Sequence, residues 1–309
     1  MKKSLIALAV LAASGAAMAQ SSVTLYGIAD VVIHKDKGAS AKMTSGGVST
    51  SRWGIKGSED LGGGLNATFQ FEQGIDLTTG ALKNAAAPFS RQANIGLNGG
   101  FGTLKLGKVW NPYDDIAGAT NPAFDSVLAP LGIAPSYSGY NGNPNSGLYY
   151  ATPSFGGFSA AVGSSFKDAA DENLRVNSFN VTYANGPVFV ALGHEQQKRD
   201  SGTAKFTRLN GSYDLGVAKI LTGFGTVADV ADDITVGVEV PLGAWVLSTG
   251  FTQVRPDIGD KANSFGVAVN YSLSKRTSVY GGFRKDNDEA VSNYGGVESR
   301  FGVGIKHTF

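Results

Sequence analysis

The stretch LNATFQFEQ, residues 65–73, decides the fold. Leu65, Ala67, Phe69 and Phe71 fall on one parity, and Asn66, Thr68, Gln70 and Glu72 on the other. Successive side chains of a strand point to opposite faces, so this is a period-two strand with one apolar and one polar face. A sandwich or small soluble barrel turns its bulky apolar face inward and packs it. Here the polar face, of amides, a hydroxyl and a carboxylate, suits a wet interior. The apolar face then looks outward into lipid.

The pattern recurs along the chain. VTLYGIADVVIH (23–34) sets Val23, Leu25, Ala29, Val31 and Ile33 against Thr24, Tyr26, Asp30 and His34. DITVGVEV (233–240), NSFGVAVNYS (263–272) and the closing RFGVGIKHTF (300–309) alternate in the same way. About sixteen such strands are expected, over 22–34, 50–58, 65–73, 89–98, 102–109, 147–153, 157–166, 174–184, 187–196, 204–214, 217–226, 232–240, 244–253, 263–272, 276–284 and 299–309. Tight connections (59–64, 185–187, 241–243, 272–276) alternate with long polar ones (35–49, 73–88, 167–173, 196–203, 254–262, 284–297), the pattern of outer-membrane barrels. The expected fold is therefore all-β, a transmembrane antiparallel β-barrel of 16 strands. Unpaired backbone groups in lipid cost several kcal/mol each, so residues 299–309 are expected to close the barrel against residues 22–34.

Bulk properties agree. MKKSLIALAVLAASGAAMAQ opens with Lys2 and Lys3, continues with a short apolar run and ends in an Ala17-Met18-Ala19 cleavage pattern. Residues 1–19 are expected to be a cleaved export signal and residues 20–309 the barrel. Removing two of the 26 basic residues leaves 24 against 25 acidic ones, a net charge of about −1. That balance offers nothing to nucleic acid. The absence of cysteine excludes disulfides and thiolate metal sites. His34, His194 and His307 sit on different strands, HEQQK (194–198) is not H-E-x-x-H, and GSSFK (163–167) is not a P-loop. No cofactor or metal is expected, and no nucleophile–base pair supports an enzyme. Asp229, Asp232 and Asp233 leave two readings, a calcium-binding loop or a solvated one.

One connection breaks the rhythm. Residues 110–147, WNPYDDIAGATNPAFDSVLAPLGIAPSYSGYNGNPNSG, hold five prolines and no alternation. Trp110, Tyr113, Phe124, Leu128, Leu131 and Ile133 give the segment apolar area to bury, against disorder. It either folds into the barrel and narrows it or packs on the rim.

Six motifs carry a resemblance: SSVTLYGIAD (21–30), SRWGIKGSEDLGGGL (51–65), SRQANIGLNGGFGTLKLGK (90–108), YATPSFGGF (150–158), YSLSKRTSVY (271–280) and GVGIKHTF (302–309). Together they resemble the general diffusion porins of Gram-negative outer membranes, of β-proteobacterial type. The resemblance implies a homotrimer of 16-stranded barrels, with the long third external loop, here 110–147, folded into the lumen as a constriction. It also implies a pore wall of basic residues facing acidic ones. Arg52, Arg91 and Lys108 match the wall motif, joined by Lys56; Asp114, Asp115 and Asp125 are the loop candidates. Parity places Arg52 and Lys56 inward, opposite Trp53 and Ile55. It places Arg91 and Lys108 with outward residues, so a bulge or a loop end must re-aim them if they are not rim groups.

Members of that family often carry arginine just before a Y-x-(S/T)-P-x-F motif. Here SYSGYNGNPNSGLYYATP (136–153) has none, which favours a weak anion preference over a strong one. The implied partners are outer-membrane lipid and lipopolysaccharide, small hydrophilic solutes and ions, and the barrel-assembly machinery, which reads Phe309 as a terminal signal. The function expected is passive diffusion; the alternative is a substrate-specific channel for a small organic anion.

Overall fold

The computed structural model describes residues 22–167 and 173–309. The expected export signal and its cleavage point lie outside them. The strands are β1 (Ser22–Asp36), β2 (Lys42–Ser45), β3 (Arg52–Gly62), β4 (Leu65–Gly74), β5 (Gln92–Gly99), β6 (Gly102–Lys108), β7 (Gly147–Ala151), β8 (Phe158–Ser165), β9 (Arg175–Asn185), β10 (Val188–Arg199), β11 (Gly202–Asp214), β12 (Lys219–Val227), β13 (Ala231–Leu242), β14 (Trp245–Pro256), β15 (Ala262–Ser272), β16 (Thr277–Asp286) and β17 (Ser299–Thr308). All except β2 form a closed 16-stranded antiparallel barrel. The four-residue β2 prolongs the β3 side of β1, pairing Val31 with Ser45 and His34 with Lys42. It falls inside a stretch expected to be loop.

The seam closes as the alternation requires. Ile28 pairs with Thr308, Val31 with Ile305 and Asp36 with Arg300, while the other side of β1 pairs with β3. The N–H of Phe309 donates to Gly27 O at 3.1 Å, and the N–H of Gly27 donates to Phe309 O at 3.0 Å. A Cβ at Gly27 would overlap the Phe309 ring at 2.3 Å, so the missing side chain is what lets the ring lie over the seam.

Burial is inverted relative to a soluble protein. On β9, Ser178 and Asn180 are buried while Phe179 and Val181 are exposed. On β10, Glu195 is buried while Val190 and Leu192 are exposed. Polar groups gather inside and apolar ones face out, as a barrel in lipid demands. Among the described residues no helix is long and apolar enough to cross a membrane, so the strands do the crossing.

Two long connections are shorter than expected. β10 continues to Arg199 and β11 starts at Gly202, so residues 196–203 are mostly ladder, and β14 runs on to Pro256. Register pairing across these stretches outweighs their polar composition, because strand ends need only one wet face. At the opposite end, Gly62, Gly63 and Gly64 all have positive φ (86°, 61° and 79°), which explains the glycine run in the β3–β4 turn.

Candidate functional site

The segment between β6 and β7 lies inside the barrel. Its first short helix, Asp114–Ala117, packs on β10 and β11. The turns Ala123–Asp125 and Pro130–Ile133 pack on β14 and β15, and the helix Pro135–Ser138 on β11 to β13. Tyr113, Ile116, Leu128, Leu131 and Ile133 are buried there. At about 1.5–3 kcal/mol per fully buried large apolar side chain, these five contribute to holding the segment against the wall.

Glycines on the inner wall make the bed. A Cβ at Gly193 would meet Ile116 at 2.8 Å, one at Gly225 would meet Ser136 Oγ at 2.1 Å, and one at Gly266 would meet Leu128 O at 2.4 Å. Gly237 and Gly250 together form the hollow that receives Pro122. Polar ties complete the docking. Asn210 Nδ2 donates to Ile116 O at 2.5 Å, and the Asn141 N–H donates to Glu195 Oε1 at 2.8 Å. Arg208, fully buried, pairs with Asp233 at 2.7 Å and donates to Ser136 Oγ at 2.9 Å. Ala123, Phe124 and Asp125 all take positive φ (55°, 64° and 51°), a left-handed turn costing roughly 1–2 kcal/mol per residue. The seated Pro122 and the Ala123 N–H, which donates to Ser248 Oγ at 2.8 Å, hold that turn in place.

A second, shorter insertion meets this segment. Residues 46–51 tuck against β1, where Asp30 accepts from the N–H groups of Gly47, Val48 and Ser49 and from the Tyr280 hydroxyl. The Val127 N–H then donates to Gly47 O at 2.8 Å. Arg300, paired with Asp36, donates to Val127 O.

The inner wall of β3 to β6 stays open to the lumen. At its loop end, Glu72 accepts from Arg91 Nε at 2.7 Å and from the Tyr26 hydroxyl at 3.0 Å, and pairs with Arg52 Nε at 3.4 Å. The guanidinium of Arg91 also lies 5.1 Å from the Trp110 ring centroid. Two cations and one anion leave this cluster with a net charge of +1. Arg91 sits just ahead of β5, where ladder alternation no longer dictates its direction, so it reaches inward despite its parity. Lys108 ends β6 just after Gly107, whose φ is +121°, and its Nζ donates to Asn143 O and Asn145 Oδ1, both at 2.8 Å. Lys56 faces the lumen four residues along β3 from Arg52, and its Nζ lies 5.2 Å from the Tyr26 ring centroid.

Each loop aspartate is matched to a tyrosine. Asp114 accepts from the Tyr140 hydroxyl at 2.7 Å, Asp115 from Tyr149 at 2.9 Å, and Asp125 from Tyr137. Asp115 and Asp125 are exposed to the lumen, yet the surrounding protein disfavours their charged forms. Burial pushes the Asp114 carboxyl up to about 6, helped by Asp115 and opposed by Tyr140 and Arg91. Burial likewise lifts Asp115 to about 6, against Tyr149, Asn180 and Lys105, and raises Asp125.

Asp229, Asp232 and Asp233 do not converge. Asp233 is buried against Arg208 on the inner face, Asp232 is exposed on the opposite parity, and Asp229 occupies a turn. Among the described residues no group of three or more potential ligands could hold a metal ion.

A family model for Gram-negative porins matches residues 5–290. The chain belongs to that family. It is 37% identical to the outer membrane porin protein 32 of Delftia acidovorans and 33% identical to an outer-membrane porin of Bordetella pertussis, each alignment covering all of both chains. Its fold is similar to that of the anion-selective porin from Comamonas acidovorans, with a TM-score of 0.79 and 28% identity over 94% of this chain and 100% of that one. As a porin of the outer membrane the protein is a passive channel and not an enzyme. Glu72, Tyr26 and Lys105 belong to the lumen wall. Parity puts Glu72 and Tyr26 on the polar face, but only the fold brings Glu72 between two arginines, and Lys105 escaped the sequence reading.

Proposed function

We propose that this porin passes small hydrophilic solutes and ions by diffusion, with a weak preference for anions. The free cross-section is what residues 109–146 leave between themselves and the wall of β3 to β6. Arg52 and Arg91 supply the positive side of the narrow zone, with Lys108 beside the segment's base and Lys56 further along. Asp114, Asp115 and Asp125 supply the negative side. The observation that carries the reading is the pair of guanidiniums around one carboxylate, Glu72, on the uncovered wall. Low-dielectric walls strengthen such fixed charges. The anion-selective relative from Comamonas acidovorans supports the sign.

The homotrimer is part of the same proposal, and the outer surface is compatible with it. Val23 and Leu25 on β1 are exposed, and an apolar depression of about 530 Å³ runs across β1 and β15 to β17, lined by Val31, Ile33, Val279, Val303 and Ile305. Another subunit covers such a surface as readily as lipid does. Lipopolysaccharide around the rim and recognition of Phe309 by the assembly machinery complete the proposal.

Replacing both Arg52 and Arg91 with Ala turns the local charge from +1 to −1 by leaving Glu72 alone. The reversal potential in a salt gradient then shifts toward cation selectivity. An unchanged reversal potential removes both residues from the selective zone.

A further inference from the structure

The lumen wall holds a second basic cluster that the narrow zone does not use. On the inner faces of β1 and β3 to β6 lies a cavity of about 370 Å³, and its lining includes Lys56, Lys105, Thr24, Ser58, Gln70 and Asn98. No carboxylate lines it. Among the described residues neither lysine has a salt-bridge partner within 4.0 Å; the acidic group that acts on Lys105 is Asp115, at longer range. Lys56 is four residues from Arg52 along one face of β3, about 13 Å at the rise of a strand. The cavity therefore lies between the Arg52–Arg91 pair and the tight-turn end, which in outer-membrane barrels faces the periplasm.

Each ammonium group lies near an aromatic ring. Lys56 Nζ rests 5.2 Å from the Tyr26 ring centroid, and Lys105 Nζ 5.7 Å from that of Tyr149. Tyr26 is itself fixed, accepting from Gln70 Nε2 at 2.6 Å and donating to Glu72. Glycine opens the floor. A Cβ at Gly96 would meet Leu104 O at 2.4 Å and stand 3.2 Å from Lys105 Cγ and 3.1 Å from Thr68 Oγ1, so the glycine gives the lysine stem room. Two cations, surrounding hydroxyl and amide donors and a lining without a carboxylate form a recognisable chemistry. They match an oxyanion with two negative charges and several acceptor oxygens.

We propose that Lys56 and Lys105 form a second anion station, on the periplasmic side of the narrow zone, that binds small dianionic oxyanions. It rests on the channel reading above and deepens it: anions pass from the arginine pair to the lysine pair and dwell there. Transit through two weak sites lets a channel favour an ion without trapping it.

The test uses the purified porin in planar bilayers, with sulfate as the probe because its charge stays at −2 across the usable pH range. In potassium chloride, sulfate lowers the chloride current of the parent saturably, and more effectively from one face of the membrane. The Lys56→Gln/Lys105→Gln variant needs roughly tenfold more sulfate for half-block, the loss expected from removing about 1.4 kcal/mol of charge-assisted binding. Lys56→Arg/Lys105→Arg keeps the block, which separates charge from folding. The Arg52→Ala/Arg91→Ala variant shifts the reversal potential but keeps a saturable block, so failure of the station and failure of the narrow-zone reading are distinguishable. A parent current that falls without saturating, or an unchanged half-blocking concentration in the glutamine variant, overturns the proposal.

Discussion

The two sides of the lumen solve opposite problems with the same strand. On β10 to β15 the inward positions are glycines, small or apolar residues such as Ala231, Val254 and Ala262, and neutralised polar groups, and residues 109–146 pack on them. On β3 to β6 the inward positions are long and charged or amide-bearing, and they meet water. A barrel wall becomes a docking surface where its inner face loses side chains, and a pore surface where it keeps them. Arg208 shows the contrast best. It is buried and matched to Asp233 on the covered side, whereas Arg52 and Arg91 share a single carboxylate on the open side.

The covered side breaks most easily at that buried pair. Asp233→Ala leaves the Arg208 charge unpartnered, and removing one member of a buried ion pair costs about 3–5 kcal/mol. The segment is expected to loosen while the barrel persists. Limited proteolysis of the purified variant then cuts within 110–146, and single-channel currents become noisy. Uncut protein with parental current noise would show that the glycine bed alone suffices.

A smaller effect sharpens the contrast through pH. Asp114 and Asp115 have carboxyls lifted to about 6 from the ordinary aspartate range. As pH falls through 6 they take up protons and the segment loses negative charge, while the arginines of the facing wall keep theirs. Anion preference is therefore expected to rise between pH 7.5 and 5. The linked stability has the same sign: a raised folded-state pKa adds stability that is fully present below the unfolded value near 4 and is lost as pH rises through 6. Reversal potentials measured across that range check the trend, and a flat profile, or one rising with pH, contradicts it.

The barrel was legible because lipid on one side and water on the other impose strict alternation, and LNATFQFEQ carries that rule in nine residues. Closure of RFGVGIKHTF against β1 followed from the same physics. Alternation says nothing at strand ends. Arg91, at a loop end, turns to Glu72 against its parity, and Lys108, just after Gly107, bonds the base of the inserted segment at Asn143 and Asn145. Glu72 was placed on the correct face, yet its part in the cluster depends on Arg91 arriving from outside the ladder. Lys105 went unnoticed because a single inward lysine is unremarkable until the barrel curves it toward Lys56. The glycine bed was visible only as composition, 43 glycines in 309 residues, since no local signal tells a docking glycine from a turn glycine.

The central claim is that residues 109–146 occupy the lumen and set its width. Single-channel conductance of a variant lacking residues 123–133, recorded beside the parent in the same salt, tests it most directly. The account predicts a larger unitary conductance, because the turns seated on β14 and β15 are gone and the glycine-lined wall is open to water. A unitary conductance equal to the parent's would mean that the segment does not limit the pore.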